Sequence, residues 1–153
     1  MLFRGKCVKT NEWLYGDLLR DGDYYAISND VRVEENVWKK RVSDVFPESV
    51  GQYVGMKDDY ENVKIFDGDI VRLDKFSFLN KEYEGSLIGR VVCNSDYMGF
   101  SLVDISHPDF KRDLGYSDDE RASISFEHLQ DWGGYSRLRV LGNSFDNNLE
   151  DFS

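Results

Sequence analysis

The feature that most constrains the fold is an alternation of apolar and polar residues with a period of two. It recurs in short runs such as Phe3–Cys7 and Gly99–Ile105, and the apolar run Trp13–Leu19 follows the first of them. Side chains of a β-strand point alternately to opposite faces, so this pattern predicts strands buried on one face. The runs Phe3–Cys7 and Trp13–Leu19, separated by polar residues, predict a hairpin.

Other segments are predicted from their boundaries. The run 24–27 follows Gly22 and predicts a third strand, while Ile70–Leu73, Leu87–Cys93 and Arg137–Leu141 predict later ones. Within the second of these, Gly89 predicts a bulge or a close backbone approach. Residues 28–49 show no clean period and are compatible with either a short strand or a helix.

Only one helical turn is predicted in the second half of the chain. Ser125 precedes the segment 126–132 and is a favourable N-cap residue, and Gly133-Gly134 ends the turn. The polar stretch 107–120 predicts a long loop, and the residues after Asn143 predict a tail that frays unless it docks.

Short strands at regular intervals, several of them preceded by glycine, are typical of small barrels. We therefore predict a mainly β or α+β fold. Residues 1–49 form an N-terminal β-meander, and residues 50–153 form a small barrel of about five strands. The two parts together make one compact domain of 153 residues.

The charge of the chain limits its possible partners. The net charge is −10, and residues 1–50 carry 8 basic and 9 acidic side chains, against 11 and 20 in the rest. Such a chain repels a phosphate backbone, so non-specific DNA binding is not expected. Any anionic contact is expected near Lys39, Lys40 and Arg41, which otherwise form a solvated basic patch. An exposed Trp38 beside them would indicate a binding surface.

The cellular compartment is predicted from the N-terminal residues, the length of the apolar runs and the cysteines. The first residues lack the apolar core of a signal peptide, and no apolar run approaches the length of a membrane span. Two cysteines, Cys7 and Cys93, are expected as free thiols in a reducing cytosol. Membrane association is not expected.

The stretch 50–73, VGQYVGMKDDYENVKIFDGDIVRL, has the composition of a possible ligand loop. Its glycines lack the spacing of a phosphate loop, and no Lys-Ser or Lys-Thr pair follows them. It also lacks the ligand spacing of an EF-hand. A divalent-metal site built from Asp58, Asp59, Asp67 and Asp69 is the alternative. The simpler interpretation is that Asp67 and Gly68 make a turn that leads into a strand. No cofactor is predicted.

Three stretches of the chain resemble the YopX family of phage and prophage proteins. They are LFRGKCVKTNEWLYGDLL at the start, VGQYVGMKD followed by VKIFDGDIV in the centre, and VLGNSFDNNLE near the end. The chain departs from the family pattern at Val54, at Asp58–Asn62 and near Asn148. The resemblance implies a small phage-borne protein with a β-rich N-terminal part and an SH3-like barrel, and it brings no catalytic residues. Within the central stretch, Gln52 and Tyr53 have polar groups that could also contact a ligand.

The leading hypothesis is a non-enzymatic protein-interaction module, encoded by a phage or prophage and located in the bacterial cytoplasm. Its protein partner is not identified by the sequence, and self-association is expected because exposed strand edges pair readily. One alternative is a metal-dependent hydrolase that uses the four aspartates. Another is a nucleic-acid accessory protein that uses Trp38 and the basic residues 39–41.

Overall fold

A computed structural model of the protein describes residues 1–94 and 99–152. The described chain is mainly β, with antiparallel sheets and two short α-helices. It divides into two compact units, residues 1–53 and residues 54–153, whereas the sequence placed its boundary after residue 49. Each unit is described by itself.

The first unit is a meander of antiparallel strands. Its elements are β1 (Phe3–Lys6), β2 (Trp13–Asp21), β3 (Tyr24–Glu34), β4 (Val37–Asp44), the 3-10 helix Pro47–Ser49 and the start of β5 (Gly51–Lys57). The strand order is β4-β3-β2-β1-β5. The predicted first hairpin is confirmed, with Phe3 opposite Gly16 and Lys6 opposite Trp13.

One face of this meander carries a small core. Cys7, Leu14, Ile27 and Val45 are buried together. A Cβ atom on Gly5 would lie 2.9 Å from the Cβ of Val45, so only glycine fits at this crossing. The opposite face has no such cluster among the described residues, and burial alternates along much of β2, whereas β1 buries both Arg4 and Gly5.

The second unit has more and shorter elements. They are β6 (Lys64–Phe66), β7 (Asp69–Asp74), β8 (Ser77–Phe78), β9 (Lys81–Glu82), β10 (Ser86–Cys93), β11 (Phe100–Val103), α1 (Pro108–Asp113), β12 (Ser123–Ser125), α2 (Phe126–Trp132), β13 (Gly133–Gly134), β14 (Arg137–Asn143) and the 3-10 helix Leu149–Phe152. The main sheet has the order β12-β11-β10-β7-β14, and a small sheet has the order β13-β8-β9. None of the sheets seen in residues 1–94 and 99–152 closes into a barrel, so the predicted SH3-like barrel is not confirmed.

The core of this unit lies on one face of the main sheet. Val71 and Leu73 of β7 are fully buried there with Leu87, Leu138 and the aromatic ring of Phe110. The predicted close approach at Gly89 is confirmed, because a Cβ atom there would lie 3.2 Å from the Cγ2 of Ile105. The C-terminal residues dock, with the Phe152 ring against Gly142.

The two helices test the local predictions differently. Ser125 caps α2, since its Oγ accepts a hydrogen bond from the His128 amide at 3.2 Å, as predicted. The prediction of a continuous loop over residues 107–120 is wrong, because α1 forms there. Its N-cap is His107, whose Nδ1 accepts from the Phe110 amide at 3.2 Å.

Candidate binding surface

Among the described residues, the longest run of exposed positions lies in the hairpin formed by the distal parts of β3 and β4. β3 pairs with β2 over Tyr24–Ser28, and beyond that its partner is β4. The turn between the two strands contains Asn36 with a φ of 62°, a left-handed conformation that asparagine tolerates better than most residues. We call residues 29–41 the arm. Residues 32–41 are all exposed.

The register of the arm assigns its side chains to two faces, since residues directly opposite each other share a face. Trp38 lies opposite Arg32, and Lys40 lies opposite Asp30. On the other face, Lys39 and Arg41 lie opposite the uncharged residues Val31 and Asn29. Lys40 therefore has a carboxylate across from it, whereas Lys39 and Arg41 have neutral neighbours.

The face that carries Trp38 also exposes large apolar side chains. Trp38 is 63% exposed and Val42 is 53% exposed, and they lie two positions either side of Lys40. On the same face of β2, Tyr15 is 48% exposed and Leu19 is 43% exposed. We call Tyr15, Leu19, Trp38, Lys40 and Val42 the Trp38 face. Single exposed apolar residues are common, but aligned ones indicate an interaction site.

A depression of about 490 Å³ lies on this face at the base of the arm. Tyr15, Asp17, Asp30 and Lys40 line it, so it offers charged groups of both signs beside an aromatic ring. Such a lining favours polar or charged side chains of a partner over a purely apolar one.

The arm also provides a strand edge. β4 is the terminal strand of its sheet, with β3 on one side only. Lys39, Lys40 and Arg41 occupy the middle of this strand. Exposed lysines on an edge strand discourage edge-to-edge association, because each added copy brings the same charge. The same charges attract an extended segment that carries carboxylates.

The structure separates the other predicted binding residues from the arm. Gln52 lies on β5 opposite Phe3, and the Tyr53 amide donates to the Leu2 carbonyl at 2.9 Å. Three strands, β1, β2 and β3, lie between β5 and β4 in the sheet order. Gln52 and Tyr53 are therefore positioned by strand pairing, while Trp38, Lys39, Lys40 and Arg41 lie together.

The four aspartates of the alternative metal site bind backbone amides. Gly68 has a φ of 92°, which confirms the predicted turn before β7. Beside it, the Asp67 Oδ1 accepts from the Cys93 amide at 3.0 Å, and the Asp69 Oδ2 accepts from the Phe66 amide at 2.8 Å. These two carboxylates stabilise the turn and its neighbouring strands.

Asp58 and Asp59 both bind β14. The Asp58 carboxylate accepts from the amides of Glu61, Val63 and Val140 at 3.1, 3.0 and 3.3 Å. Burial raises the pKa of Asp58, but these amides outweigh that effect and hold its pKa below the ordinary value. Across the described residues, no three His, Cys, Asp or Glu side chains are grouped to hold a metal ion.

The sequence identified the basic residues 39–41 as a group, but it did not predict the hairpin that carries them. Two signals could have found it. Val31, Val33 and Val37 are β-branched, and Glu35-Asn36 between them has turn chemistry. The pattern lacked a clear period because both faces of the hairpin are exposed.

Comparison with known proteins adds one positive finding. The family model described as YopX protein matches residues 2–150 of the chain. Neither the curated proteins nor the solved structures gave a match. In the part of the chain that the structure describes, no helix has the length and apolar character needed to cross a bilayer.

Proposed function

The chain belongs to the YopX family, and from this membership and the geometry of the arm we propose that it is a non-enzymatic protein-interaction module. The observation that carries the proposal is the exposure of Trp38 on a two-stranded hairpin beside Lys39, Lys40 and Arg41. A hairpin of two strands is marginally stable when isolated in water, so a partner that covers it gains apolar contacts and orders it.

The proposed occupant of the arm is an extended segment of another protein that carries acidic residues. It adds to the free edge of β4 by strand pairing, which supplies backbone hydrogen bonds regardless of side chains. Its carboxylates face Lys39 and Arg41, whose cross-strand neighbours are uncharged. An apolar side chain of the segment packs on Trp38.

The charge pattern of β4 disfavours a second copy of the chain as this occupant. Antiparallel self-pairing centred on Lys40 would place Lys40 opposite its own copy and Lys39 opposite Arg41. Like charges directly opposite each other destabilise a strand pair. Self-association remains a separate prediction.

A nucleic-acid partner is the competing proposal, because Trp38 and the basic triplet share one exposed strand. A chain with a net charge of −10 repels a long polyanion such as a nucleic acid. A short acidic segment interacts mainly with the nearby basic residues of the arm, because salt screens the more distant charges. We also propose that a phage or prophage encodes the protein and that it acts in the bacterial cytoplasm. The free thiols of Cys7 and Cys93 support a reducing compartment.

The proposal is tested with a photo-cross-linking amino acid placed at position 38 of the full chain in phage-infected bacteria. A matched probe at position 119, in an exposed loop, controls for non-specific capture. We expect cross-links from position 38 to an acidic segment of one protein. A synthetic peptide of that segment should bind the purified chain, and Lys39→Glu/Arg41→Glu should weaken the binding at least about tenfold.

Two results would overturn the proposal. One is equal capture from positions 38 and 119. The other is tighter binding of single-stranded or duplex DNA than of the captured peptide, with a steep salt dependence that the double variant removes. That second result would establish the nucleic-acid alternative.

A further inference from the structure

A second charged surface lies in the unit formed by residues 54–153, on the face of its main sheet that points away from the core. Val71, Leu73 and Leu138 point to the core, so their strand neighbours Arg72, Arg137 and Arg139 point to the opposite face. In the register of β7 and β14, Arg139 lies directly opposite Arg72, and Arg137 lies opposite Asp74.

Tyr60 organises this surface. The Cζ atoms of Arg137 and Arg139 each lie 5.3 Å from the centroid of its ring. Its hydroxyl donates to the Asp74 Oδ2 at 2.6 Å. Two guanidinium groups are thus held beside one aromatic ring by cation–π attraction.

The carboxylate at this surface is already engaged. Asp74 accepts from Tyr60 and from the Ser86 hydroxyl at 2.9 Å, and it pairs with the Arg72 Nε at 3.0 Å. Within the described ranges, neither Arg137 nor Arg139 lies in an ion pair with a carboxylate. Both face the ring of Tyr60, while the carboxylates of Asp59 and Asp58 are bound to the backbone amides of Leu138 and Val140 on the same strand.

This arrangement is costly in a free protein. Like charges opposite each other in neighbouring strands destabilise the pair, and Arg139 opposite Arg72 is such a pair. The unit has 20 acidic and 11 basic side chains, a net charge of −9, so it contains many more carboxylates than basic groups with which to pair them. A local arrangement that opposes the stability of the fold is the kind found at binding sites.

We propose that Arg72, Arg137 and Arg139 form, beside Tyr60, a binding site for the phosphoryl group of a phosphate monoester. A guanidinium group donates two parallel hydrogen bonds to phosphate oxygens. A phosphate monoester presents three free oxygens and close to two negative charges, which match three guanidinium groups better than the two oxygens of a carboxylate. This site is independent of the arm.

The test uses calorimetric titration of the full chain at pH 8 with inorganic phosphate, at an ionic strength held constant with chloride. Succinate and an unphosphorylated twelve-residue oligothymidylate are titrated in parallel. The variants are Arg137→Gln and Arg139→Gln. Arg121→Gln is the matched control, since the Arg121 side chain is 88% exposed and lies elsewhere.

We expect phosphate to bind and either variant to weaken it about tenfold or more, while Arg121→Gln changes the Kd by less than about twofold. Thermal unfolding gives a second readout. Phosphate should raise the Tm of the parent and of Arg121→Gln, because it binds the folded protein. In Arg139→Gln, the rise in Tm that phosphate causes in the parent should be lost.

Three results would overturn the proposal. The first is phosphate binding that neither arginine variant changes, or no binding at all. The second is equal or tighter binding of succinate, which would make the site a carboxylate site. The third is tighter arginine-dependent binding of the oligothymidylate, which would assign the phosphoryl group to a nucleic-acid backbone.

Discussion

Asp59 and Leu138 are joined by two hydrogen bonds across 79 positions of the chain. The Asp59 amide donates to the Leu138 carbonyl at 2.9 Å, and the Leu138 amide donates to the Asp59 Oδ2 at 2.7 Å. The neighbouring carboxylate of Asp58 accepts from Val140. Two consecutive aspartates therefore take the place of a strand beside β14.

Removal of the Asp58 carboxylate should destabilise this unit. Asp58 is buried, and an alanine would leave up to three amides, those of Glu61, Val63 and Val140, without their acceptor. An unsatisfied donor shielded from water costs about 1–3 kcal/mol, and water can reach the exposed residues Glu61 and Val63, so Asp58→Ala should lower the free energy of unfolding by about 1–3 kcal/mol. Urea unfolding followed by circular dichroism measures the change.

Asp119→Ala is the control for this variant, because Asp119 is an exposed loop carboxylate. It should change the free energy of unfolding by less than about 0.5 kcal/mol. Equal stability of the two variants would contradict the role given to Asp58.

Stability should fall in acid through the same carboxylates. Burial raises the pKa of Asp58 and of Asp74, but hydrogen bonds to backbone amides and to Tyr60 outweigh it, so both pKa values lie below the ordinary range. Carboxylates with a lowered folded pKa stabilise the protein above the unfolded value of about 3.9. That contribution is lost as the pH falls through the folded values.

The measurement is the urea midpoint between pH 3 and pH 7. We expect a plateau above about pH 5 and a decline below it. Asp58→Asn cannot titrate at this position, so its curve should be flatter in acid. A parallel decline in Asp58→Asn and the parent would show that other groups cause the acid sensitivity.

The parts of the fold that could be predicted are those buried on one face. Three such parts are the first hairpin, the strands after Gly68 and Gly85, and the Ser125 cap. They depend on apolar patterns or on local hydrogen bonds, which short stretches of sequence determine. The closure of strands into a barrel could not be predicted in this way. It depends on which edges pair, and β12 and β14 lie at opposite edges of an open sheet.

The candidate surface was predictable in composition but not in shape. Lys39, Lys40 and Arg41 stood out as the basic group of an acidic chain. The hairpin that presents them has both faces in water, so burial imposed no period on residues 29–41. The arginine surface was less visible, because Tyr60 precedes Arg137 by 77 positions and only the register of β7 and β14 brings Arg72 to them.

The helix α1 should depend on its histidine cap. Because Nδ1 of His107 accepts from the Phe110 amide, its neutral ring carries the proton on Nε2, which donates to the Glu84 carbonyl at 2.7 Å. The ring also packs edge-on against Phe76, with centroids 5.1 Å apart. His107→Ala should therefore lose about 1–2 kcal/mol in free energy of unfolding, and His107→Asn, which keeps a capping oxygen, should lose less.

Urea unfolding at pH 8 compares these variants with Ser125→Ala, which removes the cap of α2 and should cost about 1 kcal/mol. If His107→Asn is as unstable as His107→Ala, the capping bond contributes nothing and the ring contacts account for the effect.

The basic triplet on β4 should keep the chain from associating through that edge. The variant Lys39→Thr/Lys40→Thr/Arg41→Thr replaces three repelling charges by residues that favour strands, so its edge becomes a template for pairing. Sedimentation velocity over a concentration series should then show a larger association state than in the parent. The control variant Lys9→Thr/Lys57→Thr/Arg121→Thr removes the same charge at exposed positions that lie on no sheet edge. Because both variants reach a net charge of −13, equal sedimentation of the two would refute a specific role for the edge.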